Sequence, residues 1–215
     1  YQGEPVEWRV LDKKDGEILL LSEYGLDAQP FDTSGKSRVD WKDSTIRKWL
    51  NDDFYNSAFS EKEKENIVES KSEGFEEYNT SMNLTGGGKP YAYLEREIED
   101  KVFLLSNTEL CAYFSEDPYP GCYSDPYAHK ELLCYPTAYA KQQLETRYQT
   151  ETCGWWLCNH VYEDDSVELV SAYGQGSGTS RENIKANTKS IAVRPAMWVT
   201  WQSDMEMVEA NQQVE

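Results

Sequence analysis

Apolar residues fall along this chain in short blocks separated by long polar stretches. Val6-Glu7-Trp8-Arg9-Val10-Leu11 puts an apolar residue at every second position, the period of a strand with one buried face. Lys14-Asp15-Gly16 is a turn signal and Ile18-Leu19-Leu20-Leu21 is a second apolar run. Together they predict an antiparallel hairpin whose turn is set by the Asp-Gly pair. Residues 26–39 carry Pro30, Gly35 and many small polar side chains and read as a loop.

A change of period follows. Asp43-Ser44 can cap a helix in which Ile46, Trp49 and Leu50 share one face, with Asn51-Asp52-Asp53 expected to end it. Ser60-Glu61-Lys62-Glu63 has capping-box spacing and predicts a short second helix. Residues 69–100 form a polar excursion with room for a hairpin. Its Gly86-Gly87-Gly88 run is no phosphate loop, because Lys89 is followed by Pro90 where such a loop needs Ser or Thr. Val102-Phe103-Leu104-Leu105 predicts a strand, and Ser106 with Glu109 a second capping box opening a helix toward Phe114. Pro118, Pro120, Pro126 and Pro136 interrupt regular structure after it. Residues 137–148 look helical. Residues 155–157, 166–170 and 191–199 read as the last strands, with a flexible turn over 174–178. These elements predict one domain over residues 1–202, and a polar tail over 203–215 that frays.

The 215 residues suit one sizeable domain, and seven Trp, fifteen Tyr and six Phe supply its core. A formal net charge of −18 repels phosphate backbones and anionic membrane surfaces, which argues against nucleic acid as a partner. No apolar run approaches the ~20 residues of a membrane span. Tyr1 opens in a strand-like run with no initiator Met, so the chain reads as an excised domain. Cys111, Cys122, Cys134, Cys153 and Cys158 match no zinc spacing, and only His129 and His160 could assist them, so no tightly bound transition metal is expected. In an oxidising compartment one cystine or two could form, leaving at least one thiol over; under anaerobic conditions all five could stay reduced.

The ordered blocks Glu7-Trp8-Arg9-Val10-Leu11-Asp12, Trp41 through Asn51, Asp100-Lys101-Val102-Phe103-Leu104-Leu105-Ser106, Trp155-Trp156-Leu157 and Val193-Arg194-Pro195-Ala196-Met197-Trp198 resemble a family of bacterial domains of unknown function common in Gram-positive gut bacteria. More remotely, the double-Trp strand, the glycine-rich turn and the final strand with its Val-Arg element resemble the C-type-lectin-like fold, the scaffold of the formylglycine-generating enzymes and of the variable proteins of diversity-generating elements. The resemblance implies a mixed α+β domain with irregular loops gathered on one side. Relatives commonly follow the double Trp with Leu-Arg-Ser-Pro. This chain has Leu157-Cys158-Asn159-His160 there, so no ligand role of that Arg transfers.

The blocks are large apolar residues and carry no catalytic signature. Cys158 and His160 would share one strand face, making a Cys-His dyad conceivable, but polar residues at a strand end are commonly just solvated. The cysteine pair and copper chemistry of formylglycine generation find no matching pattern. Asn51-Asp52-Asp53 and Glu163-Asp164-Asp165 are oxygen-rich clusters of the kind that holds calcium in lectin-type domains, though neither has EF-hand spacing. Tyr113, Tyr119, Tyr123, Tyr127, Tyr135 and Tyr139 sit in or beside the Pro-rich stretch, where they either pack a long loop or stack on a ligand.

The expectation is therefore an α+β fold of C-type-lectin-like type, with short helices, twisted antiparallel strands and long irregular loops. The expected function is a non-catalytic binding or interaction module of a bacterial envelope or secreted protein, with glycan or protein as ligand and no membrane insertion in this segment. The competing reading is an enzyme of formylglycine-generating type or a hydrolase. The ligand-binding residues expected are Tyr123, Tyr127, Asn159, His160, Tyr162 and Asp164. Trp8, Trp49, Trp155, Trp156 and Arg194 are expected to be structural, with Arg194 bridging several carbonyls or a carboxylate. No cofactor is called for beyond calcium.

Overall fold

The structure, a computed structural model, describes residues 1–36, 39–71, 98–114, 130–145, 150–160, 167–175 and 186–201. It is α+β: short helices set against small, antiparallel sheets. The hairpin is β1 (Trp8–Lys14) and β2 (Glu17–Ser22). Asp15 at φ 53° and Gly16 at φ 85° supply the two left-handed positions of a type I′ turn, whose twist matches the strands. Leu11 is the extra residue of a bulge between the Val10–Leu20 and Asp12–Leu19 pairs.

The hairpin belongs to a four-stranded sheet in the order β1-β2-β8-β3, where β3 is Ile67–Val68 and β8 is Ala196–Thr200. Register explains why β2 is apolar without a break. Leu19 and Leu21 lie opposite Trp198 and Ala196 and face the main core. Ile18 and Leu20 lie opposite Val199 and Met197 and face a second cluster with Ile67, Trp8, Tyr55 and Phe59. A strand covered on both faces loses the alternation of a half-exposed one. Trp8 stacks on Phe59 with ring centroids 6.1 Å apart.

The helical segment runs further than its sequence suggests. Ser44 caps α1 (Thr45–Trp49) by accepting the Arg47 amide at 3.2 Å. A π-helical turn over Leu50–Phe54 and α2 (Tyr55–Ala58) follow without a break. Asn51-Asp52-Asp53 therefore does not end the helix. Asn and Asp usually stop helices because their side chains compete for nearby backbone. Asn51 instead spends its side chain on a distant segment. Its Oδ1 accepts the amides of Lys101 at 2.9 Å and Val102 at 3.2 Å, and its Nδ2 donates to the Val102 carbonyl at 2.8 Å. Beside it Asp100 accepts from Trp41 Nε1 at 2.9 Å and Arg47 Nε at 2.7 Å. Trp49 packs its ring on Phe54 at 5.5 Å. Asn51→Ala is expected to destabilise the domain by about 2–3 kcal/mol, since it strands backbone groups of a buried segment. Urea denaturation measures this, and a loss under about 0.5 kcal/mol would show the clamp to be dispensable.

The Ser60–Glu63 capping box forms and opens α3 (Glu61–Lys64). The polar excursion is closed at its base by a ladder between β4 (Ser70–Lys71) and β5 (Glu99–Asp100), while its triple glycine lies outside the described residues. The expected strand over residues 102–105 is a bridging segment instead. Phe103 exchanges both backbone bonds with Ala196, Val102 bonds to Asn51, and the Leu105 carbonyl accepts from Cys158. Its side chains are buried on every side, which produces a strand-like apolar run without a ladder.

The stretch 191–199 is likewise not one strand. Val193 bridges to Asp27 and Ala192 to Trp155, and only after Pro195, which has no amide to donate, does β8 begin. Residues 26–32 have no regular structure yet hold Leu26, Ala28 and Phe31 in the core. Among the described residues no helix is long and apolar enough to cross a membrane. The tail over 203–215 lies outside the described residues.

Candidate functional site

Two elements meet around a cluster of buried polar side chains. One is the N-terminus of α4 (Asn107–Phe114), and the other is the ladder of β6 (Trp155–His160) with β7 (Val167–Val170). Ser106 caps α4: its hydroxyl accepts the Glu109 amide at 3.1 Å, and Glu109 Oε2 accepts the Ser106 amide at 2.7 Å. This is the capping box read from the sequence, but the glutamate is half-buried. Burial pushes its carboxyl up, against the two bonds from Ser106.

Asn107, inside that box, joins helix to ladder. Its amide donates to Asn159 Oδ1 at 2.7 Å and its Nδ2 donates to Glu168 Oε2 at 3.0 Å. All three side chains are buried. Burial pushes the Glu168 carboxyl up to about 7, with the Asn107 bond pulling the other way. Cys158 is raised well above an ordinary thiol, first by burial and then by the nearby Glu109 and Glu168 charges. Asn159 Nδ2 is buried with no hydrogen-bond partner among the described residues. An unmet amide in such a cluster is a donor held ready, since leaving it unmade costs about 1–3 kcal/mol.

Of the expected ligand residues, the structure buries Asn159 in this cluster and places the His160 backbone next to it, paired with Val167. Tyr162 and Asp164 lie outside the described residues, in the connection 161–166 that joins β6 to β7. Tyr119, Tyr123, Tyr127, Cys122 and His129 also lie outside, in the stretch 115–129 that follows α4. Tyr113 reaches Asp12 at 3.3 Å, Tyr139 meets Tyr1 edge-on at 6.0 Å, and Tyr135 is exposed.

The dyad reading of Cys158 and His160 meets a chemical objection. A nucleophilic cysteine needs a lowered pKa and access, and Cys158 has neither. The Asn51-Asp52-Asp53 cluster is unsuited to calcium, because both ends of the Asn51 amide are taken by the protein. Its partner cluster, Glu163-Asp164-Asp165, lies outside the described residues. Among the described residues no three His, Cys, Asp or Glu side chains gather to hold a metal ion.

Trp155 and Trp156 point to opposite sides of β6 and both are fully buried, their Nε1 atoms donating to the carbonyls of Leu132 at 3.1 Å and Gln29 at 3.0 Å. Arg194 is also buried, but its fork does not span several acceptors. Nε donates to the Ser22 carbonyl at 2.7 Å, and neither terminal nitrogen has a hydrogen-bond partner among the described residues. The guanidinium lies 4.9 Å from the Trp155 ring centroid, a cation held against a π face.

Asn107 and Glu168 escaped the sequence reading. A signal existed for Glu168, a lone charge inside the apolar run Val167-Glu168-Leu169-Val170, all four of whose residues are buried. Asn107 was hidden within a capping box that looked complete without it.

No curated protein and no solved structure matches this chain. One family model does, over residues 15–201, a span that takes in the hairpin turn, the Asn107–Asn159–Glu168 cluster and Arg194. With nearly its whole length matched, the chain belongs to that family, described as Domain of unknown function (DUF6273).

Proposed function

We propose that this domain is a non-catalytic binding module of a bacterial envelope or secreted protein, built on a C-type-lectin-like scaffold and recognising a glycan or a protein segment. The observation that carries the reading is the buried, unpartnered Asn159 amide, set against Asn107 and Glu168 at the root of the 161–166 connection. A rigid interior that holds polar groups is how binding sites are commonly supported. Tyr123, Tyr127, Tyr162 and Asp164 would add the stacking and hydrogen-bonding groups, and the net charge of −18 suits a soluble exported protein. Calcium would enter through Glu163-Asp164-Asp165 if the ligand requires it.

A hydrolase reading draws on Glu168, because a carboxyl near pH 7 is what a general acid uses. It also needs a second carboxylate at a defined separation from the first, which binding does not.

The test is a glycan and peptide array, with and without calcium, followed by amide chemical-shift mapping of the hits. Shifts are expected at Asn159, Asn107 and Glu168. Tyr123→Ala and Tyr127→Ala are expected to weaken binding at least about tenfold, each leaving the melting temperature within about 2 °C. Shifts gathered on the hairpin of β1 and β2 would place the site elsewhere. Turnover of a hit that Glu168→Gln abolishes would make the domain an enzyme.

A further inference from the structure

Cys134 and Cys153 are buried together against Gly25, far along the chain from one another and away from the Asn159 cluster. The Cys153 amide donates to the Cys134 carbonyl at 2.8 Å, and the Cys153 thiol lies 3.5 Å from the same carbonyl. This backbone bond holds the two residues side by side, as a disulfide between them requires. A Cβ built on Gly25 would lie 3.2 Å from Cys153 Sγ and 3.5 Å from Cys134 Sγ, so both sulfurs line one small space that only glycine leaves open. The Gly25 backbone holds the site from the other side, accepting from Thr137 at 2.9 Å and donating to Tyr135 at 3.0 Å.

The surroundings also divide the two thiols. The Cys153 thiol donates to the Cys134 carbonyl, and its closeness to Cys134 together with the Arg194 charge favours the Cys134 thiolate, against the cost of burial. Cys153 is held protonated by the neighbouring Cys134 and by burial. The buried Arg194, with two terminal nitrogens unpartnered, thus has an incipient anion as its neighbour.

We propose that Cys134 and Cys153 are a disulfide-forming pair, closed by exchange with a low-molecular-weight or protein disulfide as the domain folds. Cys134 thiolate attacks one sulfur of that external disulfide and expels a thiolate, leaving Cys134 in a mixed disulfide. Cys153 then gives up its proton and attacks Cys134 Sγ, forming the Cys134–Cys153 bond and expelling the second thiolate, which takes the proton. Two electrons pass from the pair to the oxidant, which leaves as two thiol equivalents. The closed loop holds α5 (Ala138–Gln143) and ties its neck to the start of β6. Both sulfurs are buried in the finished fold, so exchange runs during folding or local opening.

The experiment is refolding of the domain from guanidinium in a mixture of reduced and oxidised glutathione, then alkylation of remaining thiols under denaturing conditions and peptide mass mapping. The expected result is one cross-linked pair joining the Cys134 and Cys153 peptides. The oxidised form should melt about 6–12 °C above the reduced one, from the entropy removed from the unfolded chain. In Cys134→Ala/Cys153→Ala that gap should vanish. Full alkylation of both cysteines after oxidative refolding, or either one linked to Cys111, Cys122 or Cys158, overturns the proposal. The map is made on the unaltered chain, so it decides the matter even if the double variant does not fold.

Discussion

Trp155→Ala will lower the unfolding free energy by about 3–5 kcal/mol, the range for removing a large aromatic from a closed core. Three losses combine. The ring is wholly buried and its removal leaves a large cavity. The Leu132 carbonyl, which accepts Trp155 Nε1 at 3.1 Å, is left unsatisfied in the interior. The Arg194 guanidinium loses the π face it rests on at 4.9 Å, while its terminal nitrogens gain no acceptor in exchange. Trp156→Ala removes a comparable volume and one carbonyl partner at Gln29, but no cation depends on its ring, so it should fall at the lower end of that range. Trp155→Phe separates the contributions, keeping most of the ring and losing about 1–2 kcal/mol with the hydrogen bond. Equilibrium urea unfolding of the three variants gives the order. A Trp155→Ala domain as stable as the parent would mean that the ring is not a keystone of the core.

The second large effect depends on pH. Glu168 has its folded pKa raised to about 7 from an ordinary 4.5, with burial as the cause. Between those values the folded protein keeps a proton that the unfolded chain has released. Its stabilising contribution is therefore complete below about pH 4.5 and is lost as pH rises through about 7. The shift corresponds to a loss of up to about 3 kcal/mol. Glu168→Gln imitates the protonated form and keeps an acceptor for the Asn107 amide. It should match the parent near pH 4 and exceed it by up to about 3 kcal/mol near pH 8. The acidic surface also destabilises the fold as pH rises, but equally in both proteins, so the difference between their curves isolates Glu168. Parallel curves would mean that Glu168 ionises as an ordinary carboxyl.

Legibility from sequence tracked how local the determining interactions are. The Asp15-Gly16 turn, the Ser60–Glu63 and Ser106–Glu109 boxes and the β1–β2 pairing are set by residues a few positions apart, and their patterns announced them. The α+β class came from the resemblance that the ordered blocks carry. What pattern alone did not reveal depends on distant partners. Asn51-Asp52-Asp53 looks like a helix stop until residues 101–102 come to meet Asn51. Residues 102–105 and 191–195 look like strands because they are apolar, yet each residue pairs with a different part of the chain. Asn159 is expected from sequence among the ligand-binding residues, and the fold buries it against the start of α4. Nothing near it in sequence reveals that Asn107 and Glu168 are waiting there.

The order β1-β2-β8-β3 also governs when the domain can exist. β8 is an interior strand, pairing with β2 on one side and β3 on the other, and it is drawn from residues 196–200. Until those residues have left the ribosome, β3 is unpaired and β2 has only β1 as a partner, with its other edge open. Contacts of such sequence separation fold slowly, and unpaired apolar edges invite association between chains. The chain therefore cannot complete this sheet until residues 196–200 are available, and it commits to its final shape only then.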